Sequence, residues 1–310
     1  MTARYTLALV IIISIFSTTS ASAFSGAYTL KKGERLFGVT RKYTIKDDRE
    51  TLIDLSFRYD LGYNEIVDAN PGIDPWYPKK GTEVIIPTRW ILPEYPEDML
   101  RKRGKLLIIN LAELRLFLLY DKGDHLQVVT FPIGIGREGF DTPRGRFSII
   151  ERIRNPVWTI PESIRAEYPE LPPSVPPGPD NPLGDYALRL SNPSYLIHGT
   201  NKPLGVGRRV SHGCIRMYPW DIKTLFNLVS VGDRVYITYQ SVKIARDSQG
   251  LFIEVHRDFK EKRPQIQEAI KRLISMGALN TVSTGQLYSA ISHRRGIPVL
   301  LAKSLKDVQR

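Results

Sequence analysis

The feature that most constrains this chain is a series of short β-type runs along residues 105–240, broken once by a segment too rich in proline for helix or strand. KLLIINLAELRLFLLY (residues 105–120) and HLQVVTFPIGIG (residues 125–136) carry alternating apolar residues around Asp121, Lys122, Gly123 and Asp124. That pattern predicts a β-hairpin with a four-residue turn. Further β-type runs follow at residues 145–150, 186–190, 194–198 and 233–239. Between them, residues 168–186 hold seven prolines: Pro169, Pro172, Pro173, Pro176, Pro177, Pro179 and Pro182. Proline fixes φ and lacks a backbone donor, so this segment has to be an extended loop. Loops of such length inside a domain are usually functional.

Residues 43–89 read as a separate compact unit. Residues 49–59 carry Leu52, Ile53, Leu55, Phe57 and Tyr59, loosely a short helix, and residues 64–70 a second one stopped by Pro71 and Gly72. A β-rich run at residues 82–86 ends at Pro87. The expected order is strand, helix, helix, strand. A polar, proline-bearing stretch, residues 90–104, reads as a linker to the β-dominated domain at 105–240. Residues 241–310 are a C-terminal extension in which Ile266, Ala269, Ile270, Leu273 and Ile274 recur at helical spacing, an amphipathic helix expected to pack on the core. The fold class expected is α+β, with the larger domain mainly β.

The chain begins MTARYTLALVIIISIFSTTSASAFSG, one basic residue, an apolar run and a small-residue stretch ending at Ala23. This is a secretory signal pattern at residues 1–23, leaving residues 24–42 as an N-terminal segment. The apolar run is about half the roughly 20 residues that cross a bilayer. Export to the periplasm is the expectation. Formal net charge is +12, and cleavage removes Arg4 and no acid, leaving +11. For an exported protein such charge favours anionic cell wall or a lipid surface over nucleic acid.

Export also changes the meaning of the chain's one cysteine, Cys214. Exported proteins use cysteines in pairs, and an odd one suggests an intermolecular bridge or a reactive thiol. It lies in SYLIHGTNKPLGVGRRVSHGCIRM, residues 194–217, with His198 and His212 and with Gly199, Gly205, Gly207 and Gly213 for tight turns. Cys and His together are a nucleophile and its base, and backbone N–H groups near Gly213 and Cys214 suit a developing oxyanion. Two other readings stay open on spacing alone: His198, His212 and Cys214 as zinc ligands, or a buried structural site. His125, His256 and His293 lack such company and read as surface or packing residues. Residues 134–139 fit G-x-G-x-x-G, but the turn and strand expected after them rule out a nucleotide fingerprint, which needs a helix there.

Two resemblances follow. Tyr43-Thr44-Ile45, TLIDLSFRYDLGYNEIVDANPGID and PKKGTEVIIP resemble the LysM module, a small βααβ glycan-binding domain, although Asp47-Asp48-Arg49 stands where many members have Gly-Asp. His198-Gly199, eleven residues, then Ser211-His212-Gly213-Cys214-Ile215-Arg216 is similar to the signature of the YkuD-type L,D-transpeptidases, supported by FPIGIGREGFDTPRGRF, NPVWTIP, VPPGPDNPLGDYALRL and VGDRVYIT. This likeness covers roughly residues 105–240. It implies a β-sandwich with an active-site cleft and an enzyme of peptidoglycan needing neither cofactor nor metal. Cys214 would be the nucleophile and His198 the base, held by the Gly199 carbonyl. His212, Gly213 and Cys214 would line the oxyanion site, while Ser211 and Arg216 would bind substrate. Partners implied are peptidoglycan stem peptides and glycan, with an outer-membrane lipoprotein or a second stem as acyl acceptor. The alternatives are a wall-binding protein without catalysis and a zinc-dependent wall peptidase.

Overall fold

The computed structural model describes residues 27–260 and 264–304. The secretory pattern at residues 1–23 lies outside the described residues.

The N-terminal part contains β1 (Tyr28–Lys31), β2 (Leu36–Gly38), β3 (Arg41–Thr44), α1 (Leu52–Arg58), α2 (Tyr63–Ala69), β4 (Glu83–Ile86) and β5 (Arg89–Ile91). β3 pairs antiparallel with β4, and β2 with β5. Thr51 and Asp54 cap α1 reciprocally: the Thr51 hydroxyl accepts the Asp54 N–H at 3.0 Å, and the Asp54 carboxylate accepts the Thr51 N–H at 2.9 Å.

The central part contains β6 (Lys105–Asn110), β7 (Arg115–Asp121), β8 (His125–Pro132), β9 (Ile135–Gly136), β10 (Gly145–Arg154), β11 (Trp158–Thr159), α3 (Glu162–Glu167), β12 (Ser174–Val175), β13 (Tyr186–Leu190), β14 (Leu196–His198), β15 (Arg209–Ser211), β16 (Ile215–Arg216), α4 (Pro219–Leu228) and β17 (Arg234–Thr238). Nine strands form one sheet in the order β1-β8-β7-β6-β17-β10-β13-β14-β16. The run at residues 105–120, expected as one arm of a hairpin, is two strands: Leu114 turns the chain with φ +57°, and β6 pairs with β7. Each strand here buries both faces, which erases the expected alternation. Leu106 and Ile108 enter one core with Leu52, Leu55 and Ile66, whereas Leu107 and Ile109 enter another with Ile197, Ile215 and Leu225.

The sheet is not flat. β16 lies seven places from β8 in strand order, a span of about 30 Å at ordinary strand spacing. Yet Gly134, just past β8, exchanges two backbone hydrogen bonds of 2.8 Å with Arg216 in β16. The sheet therefore curls on itself. β10 makes the bend: its first residues pair with β17, its later ones with β13, with a bulge between Ile149 and Glu151.

The C-terminal part contains β18 (Val242–Arg246), β19 (Gly250–Val255), α5 (Gln265–Ser275), α6 (Thr284–His293) and β20 (Val299–Lys303), a three-stranded sheet with its own apolar core. The amphipathic helix expected near residues 264–276 is α5, with Ala269 and Leu273 buried. Fully buried Lys243 fastens this module to the rest, reaching Glu113 at 2.6 Å, Glu254 at 2.9 Å and the Ile91 carbonyl at 2.7 Å. His256, 2.7 Å from Glu254, belongs to the same cluster.

Two expected boundaries need correction. Residues 24–42 are not merely a leading segment, because β1 is an edge strand of the large sheet and pairs with β8. Residues 90–104 are not a free linker: Leu92 and Met99 are buried, and the Leu92 carbonyl accepts two hydrogen bonds from Arg35. The N-terminal unit shares a core with β6, β7 and β8 instead of hanging from a tether. Arg115, fully buried at the start of β7, joins them. It donates to both Glu65 oxygens, at 2.7 and 2.9 Å, to the Asp60 carbonyl at 2.8 Å and to the Thr130 hydroxyl at 3.2 Å.

Arg115→Met strands the Glu65 carboxylate in a buried site, a loss of about 3–5 kcal/mol. Calorimetry should register a fall in melting temperature on the order of 10 °C, and adding Glu65→Gln should restore part of it. Equal melting temperatures for the single and double variants would contradict this account.

Candidate active site

β14 and β16 run parallel in the register Ile197↔Ile215 and His198↔Arg216. Ile197 and Ile215 are both fully buried in the core. Alternation along a strand therefore turns His198, Cys214 and Arg216 to the opposite face. Arg216 stands directly across from His198, and Cys214 diagonally across.

The turn carrying Cys214 is closed by Ser211. Its hydroxyl donates to the Cys214 carbonyl at 2.5 Å and accepts the Gly213 N–H at 3.2 Å. Gly213 has φ +104°, and a Cβ there would lie 2.9 Å from the Tyr195 ring, so both backbone and space require glycine. Thr142, from the loop after β9, donates to the Gly213 carbonyl at 2.8 Å while accepting the Gly136 N–H at 3.1 Å. In a trans peptide the carbonyl and N–H point opposite ways. Thr142 thus fixes the Cys214 N–H pointing away from it, and that N–H has no acceptor among the described residues. Gly136 serves this packing, for a Cβ on it would lie 1.8 Å from the Phe140 carbonyl oxygen.

His198 is 3% exposed. Its Nδ1–H donates to the Gly199 carbonyl at 2.6 Å, and the Leu183 carbonyl also faces the ring. Burial, reinforced by the Arg216 guanidinium, lowers its pKa from 6.5 to about 4. Protonating it costs about 3 kcal/mol more than in water. The ring is therefore neutral, with its proton on Nδ1 and Nε2 free to accept. Burial pushes the Cys214 thiol up, only partly offset by a hydrogen bond with the Leu196 backbone and by Arg216. The resting pair is thiol and imidazole, not thiolate and imidazolium.

The other expected site residues divide. Gly199 lies behind His198, and the end of the proline-rich segment backs it: a Cβ on Gly199 would be 3.3 Å from the Leu183 carbonyl oxygen. The Asn181 amide holds that end by donating to the Pro156 carbonyl at 2.8 Å. His212 turns away, its Nε2 3.1 Å from Arg137 and 3.6 Å from Glu167. Ser211, expected to bind substrate, is 2% exposed and occupied within the turn. The Gly213 N–H, expected at the oxyanion site, is already taken by Ser211, whereas the Cys214 N–H is not. The zinc reading fails on geometry: among the described residues, Cys214 and the two histidines do not bring ligand atoms together, and the one cluster that does is Glu113, Glu254 and His256, into which Lys243 reaches. Sequence reasoning missed Thr142 and Arg137. Both lie in FPIGIGREGFDTPRGRF, which carries the resemblance, but nothing in that stretch assigns either a role, and only the chain's return past the turn carrying Cys214 brings them in.

Comparison with known proteins agrees with this geometry. The family model of the L,D-transpeptidase catalytic domain matches residues 104–237. "Probable L,D-transpeptidase ErfK/SrfK" of Escherichia coli (strain K12) is 36% identical over 314 residues, 96% of this chain and 98% of the relative. "Probable L,D-transpeptidase YbiS" of the same organism is 39% identical over 284 residues, 87% of this chain and 89% of the relative. "Probable L,D-transpeptidase YcfS", also from that strain, is 39% identical over 239 residues, 74% of this chain and 72% of the relative. With matches of this length and identity, the chain belongs to the L,D-transpeptidase family of acyltransferase enzymes.

Proposed function

We propose that this protein exchanges peptide bonds in peptidoglycan through a thioester on Cys214, in the periplasm, with His198 as general base. The observation that carries the reading is the His198 tautomer: Nδ1–H is held by the Gly199 carbonyl, so the free Nε2 lies on the strand face that also bears Cys214. As sulfur attacks the carbonyl carbon of the third stem residue, the thiol proton passes to Nε2. The developing oxyanion takes the Cys214 N–H. Collapse breaks the C–N bond, and His198 returns the proton to the departing D-alanine amine. An acceptor amine, on a second stem or on a lipoprotein lysine, then attacks the thioester and loses its proton to the same nitrogen, and as the C–S bond breaks His198 returns that proton to the Cys214 sulfur. The bond energy stays in the thioester, so no nucleotide is consumed. Because both partners start neutral, no charge has to be desolvated before substrate arrives.

The N-terminal unit supplies the hold on glycan. Tyr77 is 79% exposed and Trp76 41%, an unusual display for aromatic side chains. Asp74 shapes their loop by accepting the N–H groups of Trp76 and Tyr77 at 2.8 and 3.2 Å. Asp48, part of the departure from the Gly-Asp pair, accepts the Lys80 N–H at 2.9 Å and ties the two loops together. Exposed rings on a fixed loop suit the apolar faces of sugars.

Cys214→Ala should abolish exchange of a labelled D-amino acid into stem tetrapeptides, and His198→Ala should prevent thioester formation seen by intact mass. Continued exchange by the cysteine variant would sink the reading. The acid limb of kcat/KM for acylation should lie near pH 4, since the base is lost only when His198 takes a proton. A limb well above pH 4 would contradict His198 as the base. Replacing Trp76 and Tyr77 by alanine should reduce co-sedimentation with isolated sacculi several-fold while the rate on soluble tetrapeptide stays within twofold. Undiminished sedimentation would remove the glycan role from this loop.

A further inference from the structure

Beside the nucleophile turn lies a carboxylate receptor that the chemistry above does not use. Arg137 follows β9, which pairs in parallel with β15. Its own N–H donates to the Ser211 carbonyl at 2.9 Å, so its backbone is fixed against the residue before His212. The guanidinium lies 4.4 Å from the Phe140 ring centre, and the same ring meets His212 edge-on at 4.6 Å. Nη2 reaches His212 Nε2 at 3.1 Å and both oxygens of Glu167, at 2.7 and 2.6 Å.

Glu167 comes from elsewhere. It is the last residue of α3, the six-residue helix that leads into the proline-rich segment. The anchorage of that helix is light: Ile164 is its one buried side chain among those described, and the paired strands flanking it, β11 and β12, are two residues each. Arg137, in contrast, belongs to the packed frame that holds Cys214. A fixed cation and a lightly held anion make an exchangeable pair, since local opening costs least where few apolar contacts are lost.

Resting on the reading given above, the geometry points to Arg137, stacked on Phe140 beside His212, as the receptor for the donor's terminal carboxylate, with Glu167 the internal occupant that the substrate displaces. The donor in that reading ends one residue beyond the scissile carbonyl. The Arg137 N–H is bonded to the Ser211 carbonyl, three residues before Cys214, so the receptor and the thiol are carried by one turn, and the carboxylate of the donor's last residue is the anionic group next to the scissile carbonyl. Arg137 then measures the leaving residue, and a donor with a further residue cannot place both groups. Departure of Glu167 also frees α3 to move, so the proline-rich segment opens as the donor enters.

The test uses two synthetic stem tetrapeptides that differ only in ending as free acid or as carboxamide, with thioester formation and amine release as readouts. Arg137→Gln should lower kcat/KM for the free acid by at least about 10-fold, as expected for the loss of a hydrogen bond to a charged group, and leave the carboxamide within twofold. Arg137→Lys should recover part of the loss on the acid. Glu167→Gln should lower KM for the free acid several-fold with kcat within twofold. Equal losses on acid and amide, or an unchanged KM in Glu167→Gln, would overturn the receptor assignment alone. Failure of the unaltered protein to form a thioester with either donor would overturn both this assignment and the catalytic reading beneath it.

Discussion

The buried contact between Arg115 and Glu65 is the constraint on which the rest of the molecule depends. An arginine with no exposed surface is tolerable only when its donors are satisfied, and here they reach a carboxylate, a backbone carbonyl and a hydroxyl drawn from three parts of the chain. Glu65 is committed as well. It accepts the Gly62 N–H at 2.7 Å, capping α2, and the Trp90 indole N–H at 3.3 Å. With both partners locked, α2 cannot shift on the sheet. Its first N–H groups are then presented to the catalytic part: Tyr63 donates to the Val206 carbonyl and Asn64 to that of Gly207, both at 3.2 Å. Residues 206–207 lead straight into β15 and the nucleophile turn. The unit that reads as a separate module in sequence is thus a backing for the site.

The electrostatics of the site follow from burial more than from charge. A cysteine beside a histidine often forms an ion pair, with the thiolate favoured by a positive neighbour. Here Arg216 opposes protonation of His198 even as it favours the Cys214 thiolate, which Arg189 favours as well. Burial penalises both charged forms, and it is the largest influence on each residue. A histidine held by backbone carbonyls instead of a carboxylate suits that balance. A carboxylate would raise the imidazole pKa and store the proton permanently, whereas a carbonyl orients the ring without adding charge.

The stretch from Val210 to Met217 was legible because its chemistry is local: a lone cysteine, a histidine and a glycine that the turn requires. The β content of residues 105–240 was legible too, from short apolar runs between turn residues. What failed were inferences resting on exposure. The run at 105–120 hides its turn at Leu114 because both faces of β6 and β7 are buried, so the strand interiors carry no polar residue to mark the period, and Asn110, Glu113 and Arg115 at the turn are buried as well. Residues 90–104 look like a linker because they are polar, yet that polarity is consumed by partners remote in sequence, as when the Glu94 N–H donates to the Gln240 side chain at 2.9 Å. The resemblance implies a substrate role for Ser211, but its hydroxyl in a tight turn has its nearest partners in the turn itself.

The same distinction explains why the Thr142 and Arg137 roles escaped sequence reasoning while Cys214 did not. A nucleophile is recognised by what it is, a positioning group by what it faces. Thr142 matters because the Gly213 carbonyl needs a donor, and that need exists only once Gly213 adopts its positive φ. If the carbonyl were free to rotate, the Cys214 N–H would rotate with it and lose the direction that the proposed oxyanion role requires. The hydroxyl therefore acts across a single rigid peptide plane. Its effect is transmitted by covalent geometry, so it needs no contact with substrate to matter.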